Sequence, residues 1–352
     1  MYGSAATVAV LRGFCILFSP ERKVFQTLEK SERISKLFSQ FVEGMGERIR
    51  FGEPLSKHSS LRIGGPAALW AEPSTQSELV ELLSAARKLG IDHTVVGLGS
   101  NTLYSDDGID GLVLRLAGEL ADWRVDDGVL SVGGGAINAH LVRAMFKMGW
   151  VGMEFLALIP GTLGGAVVMN AGTQEKALSE ILVDVDVIDP SQPWMVRTMS
   201  RKELQMSYRH TSLDPGVVVA SARLRVEQGD VEAAALRVRE DKDRRNKTQP
   251  YRLASVGSTF ANPPGDYAGR LIEAVGLKGV AVGGARVSEL HGNFFINEDH
   301  ATTEDFLTLM AMARVRVRQL HQIELRPEVS FVGFDGWSRL AQIEQELEAA
   351  SC

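Results

Sequence analysis

The sequence predicts an α+β protein of two or three domains. Its 352 residues exceed what one core usually holds, at roughly 150 residues per domain. Strand and helix patterns alternate from Leu55 onward. Glycine is crowded, with fifteen of the 35 glycines lying between Gly97 and Gly172. That density signals tight turns or backbone brought close to a ligand.

Residues 1–49 read as an extension ending in a helix. Thr75 and Glu78 form a capping box, Leu79, Leu82, Leu83 and Ala86 give an apolar helical stripe, and Gly90 closes it. A short strand at Thr94–Val96 runs into Gly97-Leu98-Gly99-Ser100-Asn101. Leu112–Leu116 is another strand, and Trp123–Val132 is a hairpin around Asp126-Asp127-Gly128. A helix from Ala136 to Met148 stops at Gly149. The alternation at Ile181–Val187 marks a half-buried strand, and Val217–Val226 a further one. The helix from Asp230 to Lys247 ends in a run of mixed charge, which reads as a solvated face or a domain connector. Beyond it comes a small α+β unit. It holds helices at Tyr267–Val275 and Glu304–Leu320 and strands at Asn293–Ile296 and Glu328–Val332. Trp337–Ala350 is a polar terminal helix.

Composition narrows the classes. With 45% hydrophobic and 23% charged residues the chain is an ordinary globular protein. A net charge of −6 argues against a nucleic-acid partner. Cys15 and Cys352 cannot build a disulfide framework or a cysteine-rich zinc site, and no histidine pair has ligand spacing. No uncharged apolar run is long enough to span a membrane. Ala5–Phe18 is short, is broken by Arg12 and lacks a basic leader, so a signal peptide is not expected. The expectation is a cytoplasmic, metal-free protein.

Gly97 to Asn101 follow a strand, as a phosphate-cradling loop should, but Thr102 stands where a dinucleotide fingerprint needs its third glycine. Read alone, an ordinary turn serves as well as a backbone nest for a pyrophosphate. Ile159-Pro160-Gly161-Thr162-Leu163-Gly164-Gly165-Ala166 continues to Met169-Asn170-Ala171-Gly172, a second small-residue loop able to admit a flat ligand. Arg62-Ile63-Gly64-Gly65-Pro66 offers a third such contact. Ser258 lies in a loop of turn formers with no nucleophile elbow around it and no evident partner histidine, which argues against a hydrolase triad. Tyr208-Arg209-His210 and Pro327-Glu328-Val329 are weak signals singly.

In order, these motifs resemble the MurB family of UDP-N-acetylenolpyruvoylglucosamine reductases. The match is carried by SLRIGGPA (60–67), GLGSN (97–101), EFLALIPGTLGGAVVMNAG (154–172), YRH (208–210), GSTFANPPGDYAGRLIEAVGLKG (257–279), VGGARVSELHGNFFIN (282–297) and RPEVSFVG (326–333). The resemblance implies a vanillyl-alcohol-oxidase (PCMH-type) FAD-binding region in two parts, 50–118 and 119–246. A substrate domain at 247–334 and a helical tail at 335–352 would follow. It implies reduction of UDP-GlcNAc-enolpyruvate by NADPH, with catalytic residues Arg209, Ser258 and Glu328 and substrate contacts at Tyr208 and Asn262. The cofactor contacts implied are Arg62, Gly97, Gly99, Ser100, Asn101, Gly161, Thr162, Gly164, Gly165, Ala166, Asn170 and Gly172. A monomer without nucleic-acid or membrane partners is expected.

The implied chemistry suits the residue types. A fixed guanidinium at Arg209 can stabilise charge developing beside the substrate carboxylate, and Glu328 can orient it. Ser258 would protonate the carbanion-like carbon, where placement matters more than acidity. The 49 residues from Arg209 to Ser258 resemble the shorter branch of the family, which lacks a tyrosine-bearing substrate loop. Leu98 replaces a usual glycine and is tolerable only at negative φ. Pro66 stands where covalent flavoproteins of this fold tend to carry histidine, so FAD is expected to bind non-covalently. The rivals are another flavin oxidoreductase of the same fold, which leaves Ser258, Asn262 and Glu328 unexplained, and a non-catalytic nucleotide-sugar-binding protein.

Overall fold

Among the described residues, three sheets of four or five strands, each covered by helices, follow one another in sequence. The protein is described as a computed structural model covering residues 20–350 except residue 174, without the side chains of 20–28. The stretch Ala5–Phe18 and both cysteines lie outside the described residues.

The first sheet has the order β1-β2-β5-β3: β1 (Ile49–Pro54), β2 (Pro66–Ala71), β5 (Ile109–Leu114) and β3 (His93–Val95). Only β1–β2 is antiparallel. Helices α1 (Pro20–Met45) and α2 (Gln76–Leu89) cover it. Ile34, Leu37 and Met45 of α1 sink into the same core as Leu79, Leu82 and Leu83. Residues 1–49 are therefore not a loose appendage over their described part, and α1 continues directly into the first sheet.

Helix α2 ends as the sequence indicates, on left-handed Gly90. Its start differs from a full capping box. Thr75 accepts from Glu78 N, but the Glu78 carboxylate turns to Ser74 N at 2.7 Å and to Arg48 through two 2.7 Å bonds. A bidentate arginine outbids the box's return bond.

The second sheet is antiparallel, in the order β10-β9-β11-β7-β6: β10 (Val196–Ser200), β9 (Leu182–Ile188), β11 (Val218–Arg225), β7 (Val129–Gly133) and β6 (Trp123–Asp126). Alternate residues of β9 and β11 face helices α3 (Asn138–Lys147) and α4 (Leu163–Val168) across a core containing Val185, Ala222, Leu141 and Val167. A two-stranded ribbon joins β8 (Trp150–Val151) to β12 (Glu227–Gln228). Helix α5 (Val231–Thr248) starts on Asp230, whose carboxylate accepts from Ala233 N.

The third sheet, also antiparallel, runs β13-β16-β15-β14: β13 (Ala254–Ser258), β16 (Phe294–Asn297), β15 (Ala285–Val287) and β14 (Ala281–Val282). It packs on α6 (Ala268–Ala274), α7 (Thr303–His321) and α8 (Gly336–Ala350) around Phe260, Phe295, Phe306 and Leu340. The chain then returns to the first unit. Strand β17 (Ser330–Val332) pairs in parallel with β4 (Thr102–Tyr104). The strand expected from Glu328 begins only at Ser330 because Glu328 N is spent on Thr259 O.

Among the described residues, no helix is long and apolar enough to cross a membrane, and no His/Cys/Asp/Glu cluster is arranged to hold a metal ion.

The Arg48–Glu78 pair ties α2 to the turn before β1, and it holds the Glu78 carboxyl down at about 2. A depressed carboxylate contributes stability above its unfolded value and loses it as pH falls through the folded one. Glu78→Gln is expected to cost about 1–2 kcal/mol at neutral pH, allowing for partial exposure. The gap to wild type should close between pH ~4.5 and ~2, as read by urea unfolding at stepped pH.

Candidate active site

A cleft of about 1290 Å³ runs between the three units. Its floor is built from the two glycine-rich loops. The first, Gly97 to Asn101, leaves β3 and enters β4. Its five backbone N–H groups donate to no protein group among the described residues, which makes the loop an open nest for an anion. Leu98 is not at positive φ, so the leucine fits without strain.

The second loop leads through left-handed Gly161 into α4, with Thr162 as its N-cap. The loops touch directly: Ser100 Oγ donates to Pro160 O at 2.8 Å, and a Cβ on Gly97 would lie 2.7 Å from Thr162 Oγ1. Gly99 is at φ 59 with the His58 carbonyl where a Cβ would go, at 2.1 Å. Only glycine permits both the conformation and the approach.

Gly161, Thr162, Gly164, Gly165, Ala166 and Gly172 all line the cleft. Two residues expected there do not. Arg62 is exposed and outside the cleft lining, in a tight turn at φ 58 closed by its own N–H to Ser59 O at 3.1 Å. Asn170 is buried, and both ends of its amide are engaged by protein: Nδ2 donates to Ser207 O at 2.8 Å and Oδ1 accepts from Ser179 N at 3.0 Å.

The structure brings Arg209, Ser258 and Glu328 to one cleft. Arg209 occupies a tight turn at φ 56, closed by Ser207–His210 backbone bonds, and its guanidinium lies 5.0 Å from the Tyr208 ring centroid. Its Nε donates to Glu328 Oε1 at 2.5 Å. The Nη groups have no partner among the described residues and stay available to an anionic ligand. Burial raises the Glu328 carboxyl above its ordinary range, and Arg209 and Arg326 offset only part of that rise.

Ser258 ends β13 after a bulge between Ser255 and Ser258. The segment beyond it is pinned: buried Asn293 exchanges two hydrogen bonds with Phe260, and Glu328 N donates to Thr259 O at 2.9 Å. Ser258 and Glu328 are thus held in register through Thr259. Asn262 Oδ1 accepts from Ala268 N at the start of α6, which leaves its Nδ2 for a ligand.

One wall was not anticipated. Arg237, Val238, Asp241, Arg244, Arg245 and Thr248 of α5 line the cleft, so the charged run is neither wholly solvated nor a mere connector. Arg245 donates to Leu158 O at 2.9 Å, tying α5 to the lead-in of the second loop. The spacing of these residues, one helical face, was present in the sequence. Gly134, Gly135 and Asn138 also line the cleft without having stood out.

An unpartnered N–H nest, a glycine floor and a long cleft fit a dinucleotide cofactor. Comparison with known proteins agrees. A family model described as "FAD binding domain" matches residues 67–192, and one for the C-terminal domain of UDP-N-acetylenolpyruvoylglucosamine reductase matches 249–332. The chain is 43% identical over 288 residues to the UDP-N-acetylenolpyruvoylglucosamine reductase of Anaeromyxobacter sp. (strain K), covering 82% of this chain and 86% of that one. For the Myxococcus xanthus reductase the identity is 41%, covering 83% and 95%. The crystal structure of the Thermus caldophilus reductase superposes with a TM-score of 0.69 at 35% identity, covering 80% of this chain and 97% of that one. The chain belongs to the UDP-N-acetylenolpyruvoylglucosamine reductase (MurB) family and is an FAD-dependent oxidoreductase of peptidoglycan precursor synthesis.

Proposed function

We propose that this reductase takes its electrons from NADPH, holds FAD non-covalently on the two glycine-rich loops and protonates its substrate from Ser258. Units 50–118 and 119–246 hold the cofactor, and 247–334 closes over the UDP-sugar. The chain works in the cytoplasm as a monomer. The observation that carries this reading is the convergence of Arg209, Ser258 and Glu328 on the cleft floored by both loops.

When bound, FAD would supply hydride chemistry at the methylene carbon of the enolpyruvyl group, with NADPH as the reductant. The chain's residues do the rest. The Gly97–Asn101 N–H groups would hold the cofactor's pyrophosphate. The free Nη edge of Arg209 meets the substrate carboxylate, into which charge spreads from the adjacent carbon as the hydride adds. Glu328 holds Nε, so the guanidinium plane is fixed before reaction and costs no reorganisation during it. Ser258 Oγ gives its proton to that adjacent carbon and is reprotonated from solvent. Tyr208 and Asn262 Nδ2 hold the UDP-sugar.

Two variants separate cofactor binding from proton transfer. Gly99→Ala places a methyl group against the His58 carbonyl at positive φ, and flavin content per protein is expected to fall to about a tenth or less. Normal flavin absorbance would reduce the loop to a structural turn. Ser258→Ala is expected to keep flavin and its reduction by NADPH, while reoxidation by UDP-GlcNAc-enolpyruvate slows ~10²–10⁴-fold. Equal slowing of both steps would remove Ser258 from the proton-donor role.

A further inference from the structure

The Arg209–Glu328 pair is held from behind by two asparagines, one from each glycine-rich loop. Asn101 closes the first loop. Its Nδ2 donates to Glu328 O at 2.9 Å, and its carbonyl accepts from Ser330 N at 3.0 Å, so it grips the backbone at Glu328 and two residues beyond. Asn170 closes the second loop after α4. Buried to 5% exposure and at φ 40, it donates from Nδ2 to Ser207 O at 2.8 Å and accepts at Oδ1 from Ser179 N at 3.0 Å. Ser207 is the base of the turn that presents Arg209, closed by Ser207 N to His210 O at 3.0 Å and His210 N to Ser207 O at 3.2 Å. A second tie runs from Thr211 Oγ1 to Val168 O at 3.0 Å.

We infer that Asn101 and Asn170 are positioning residues for the Arg209–Glu328 pair, each transmitting the placement of a cofactor loop to one member of the pair. The inference rests on the catalytic reading above. Both asparagines spend a side-chain N–H on a main-chain carbonyl, where it fixes backbone position rather than ligand. Neither Arg209 at positive φ nor Glu328, ahead of its strand, has regular secondary structure to hold it. The ion pair reaches across 119 residues, and a shift of about 1 Å in either partner is enough to cost ~10²-fold in a reaction that depends on alignment. The same loops line the cofactor cleft, so the pair is assembled by the elements that seat the flavin.

The test uses purified holoenzymes carrying Asn101→Ala or Asn170→Gly. Alanine at 101 removes the donor to Glu328 O without adding charge beside the anion nest, and it leaves the loop's own N–H groups in place. Glycine at 170 accepts φ 40 without strain and removes both side-chain ties. Flavin content, anaerobic reduction by NADPH and reoxidation by UDP-GlcNAc-enolpyruvate are measured for each. Wild type is run first: a flavin that the enolpyruvyl sugar does not reoxidise sinks the functional reading itself, independently of the variants. The expected result is wild-type flavin content and reduction within about twofold, with reoxidation slowed about tenfold or more and kcat falling further than KM rises. Loss of flavin, equal slowing of both steps, or unchanged reoxidation would each overturn the inference.

Discussion

The contact between Arg209 and Glu328 makes demands on every part of the fold. Its partners come from the second unit and from the segment that leaves the third. Both side chains are mostly withdrawn from water, with 21% and 13% of their surface exposed. Desolvating two charges is costly unless their geometry and remaining hydrogen bonds compensate, and removing one partner strands the other. The chain therefore fixes both backbones. Strand β17 returns to pair with β4, so Glu328 arrives beside the loop that ends in Asn101. The bond from Glu328 N to Thr259 O then carries the third unit, and Ser258 with it, to the same place.

That return strand explains why the third sheet and the first unit cannot be separated cleanly. Leu61, Ile63 and Leu103 from the first unit lie in the same core as Phe260, Phe295 and Leu325. Thr303 at the start of α7 donates to Tyr104 O and to Asp106. Helix α8, beyond the family-matched span, closes the outer side. Leu340 and Ile343 are buried there, and Glu344 is shared by Arg314 and Arg318. A carboxylate at 7% exposure is tolerable because two guanidiniums satisfy it.

Legibility in the sequence followed local chemistry. The helix end at Gly90, the stop at Gly149, the hairpin at Asp127-Gly128 and the cap at Asp230 are set by residues within a turn of the feature. The glycine loops were legible as close approaches, and their meeting at Gly97 and Thr162 supplies the reason for the glycine. Strands such as β8, β12 and β14 have only two residues each and no period to read, so only their remote partners define them. The destinations of Arg62 and Asn170 were illegible for a related reason. A motif names the residue type, but where the side chain ends depends on the turn it sits in, as for Arg62, or on a neighbour distant in sequence, as Ser207 is for Asn170. The charged face of α5 failed differently. Its helical spacing was visible, but charge was read as contact with solvent when one stripe of it faces a polar cleft.

The division of labour within one guanidinium follows from its shape. Arginine presents a planar fork of five N–H donors that cannot be deprotonated at working pH. Here the Nε edge is spent on Glu328 and the Nη edge is left toward the cleft. A lysine could make the ion pair but could not both be held and keep a flat, bidentate face for a carboxylate. Glu328, pushed up by burial, is pulled back toward its charged form chiefly by Arg209, so the carboxylate depends on the guanidinium to keep its charge in a partly dry site. A ligand carboxylate entering that site meets a cation whose orientation has already been fixed by protein. That is the condition under which electrostatic stabilisation grows as charge develops, with little left to rearrange.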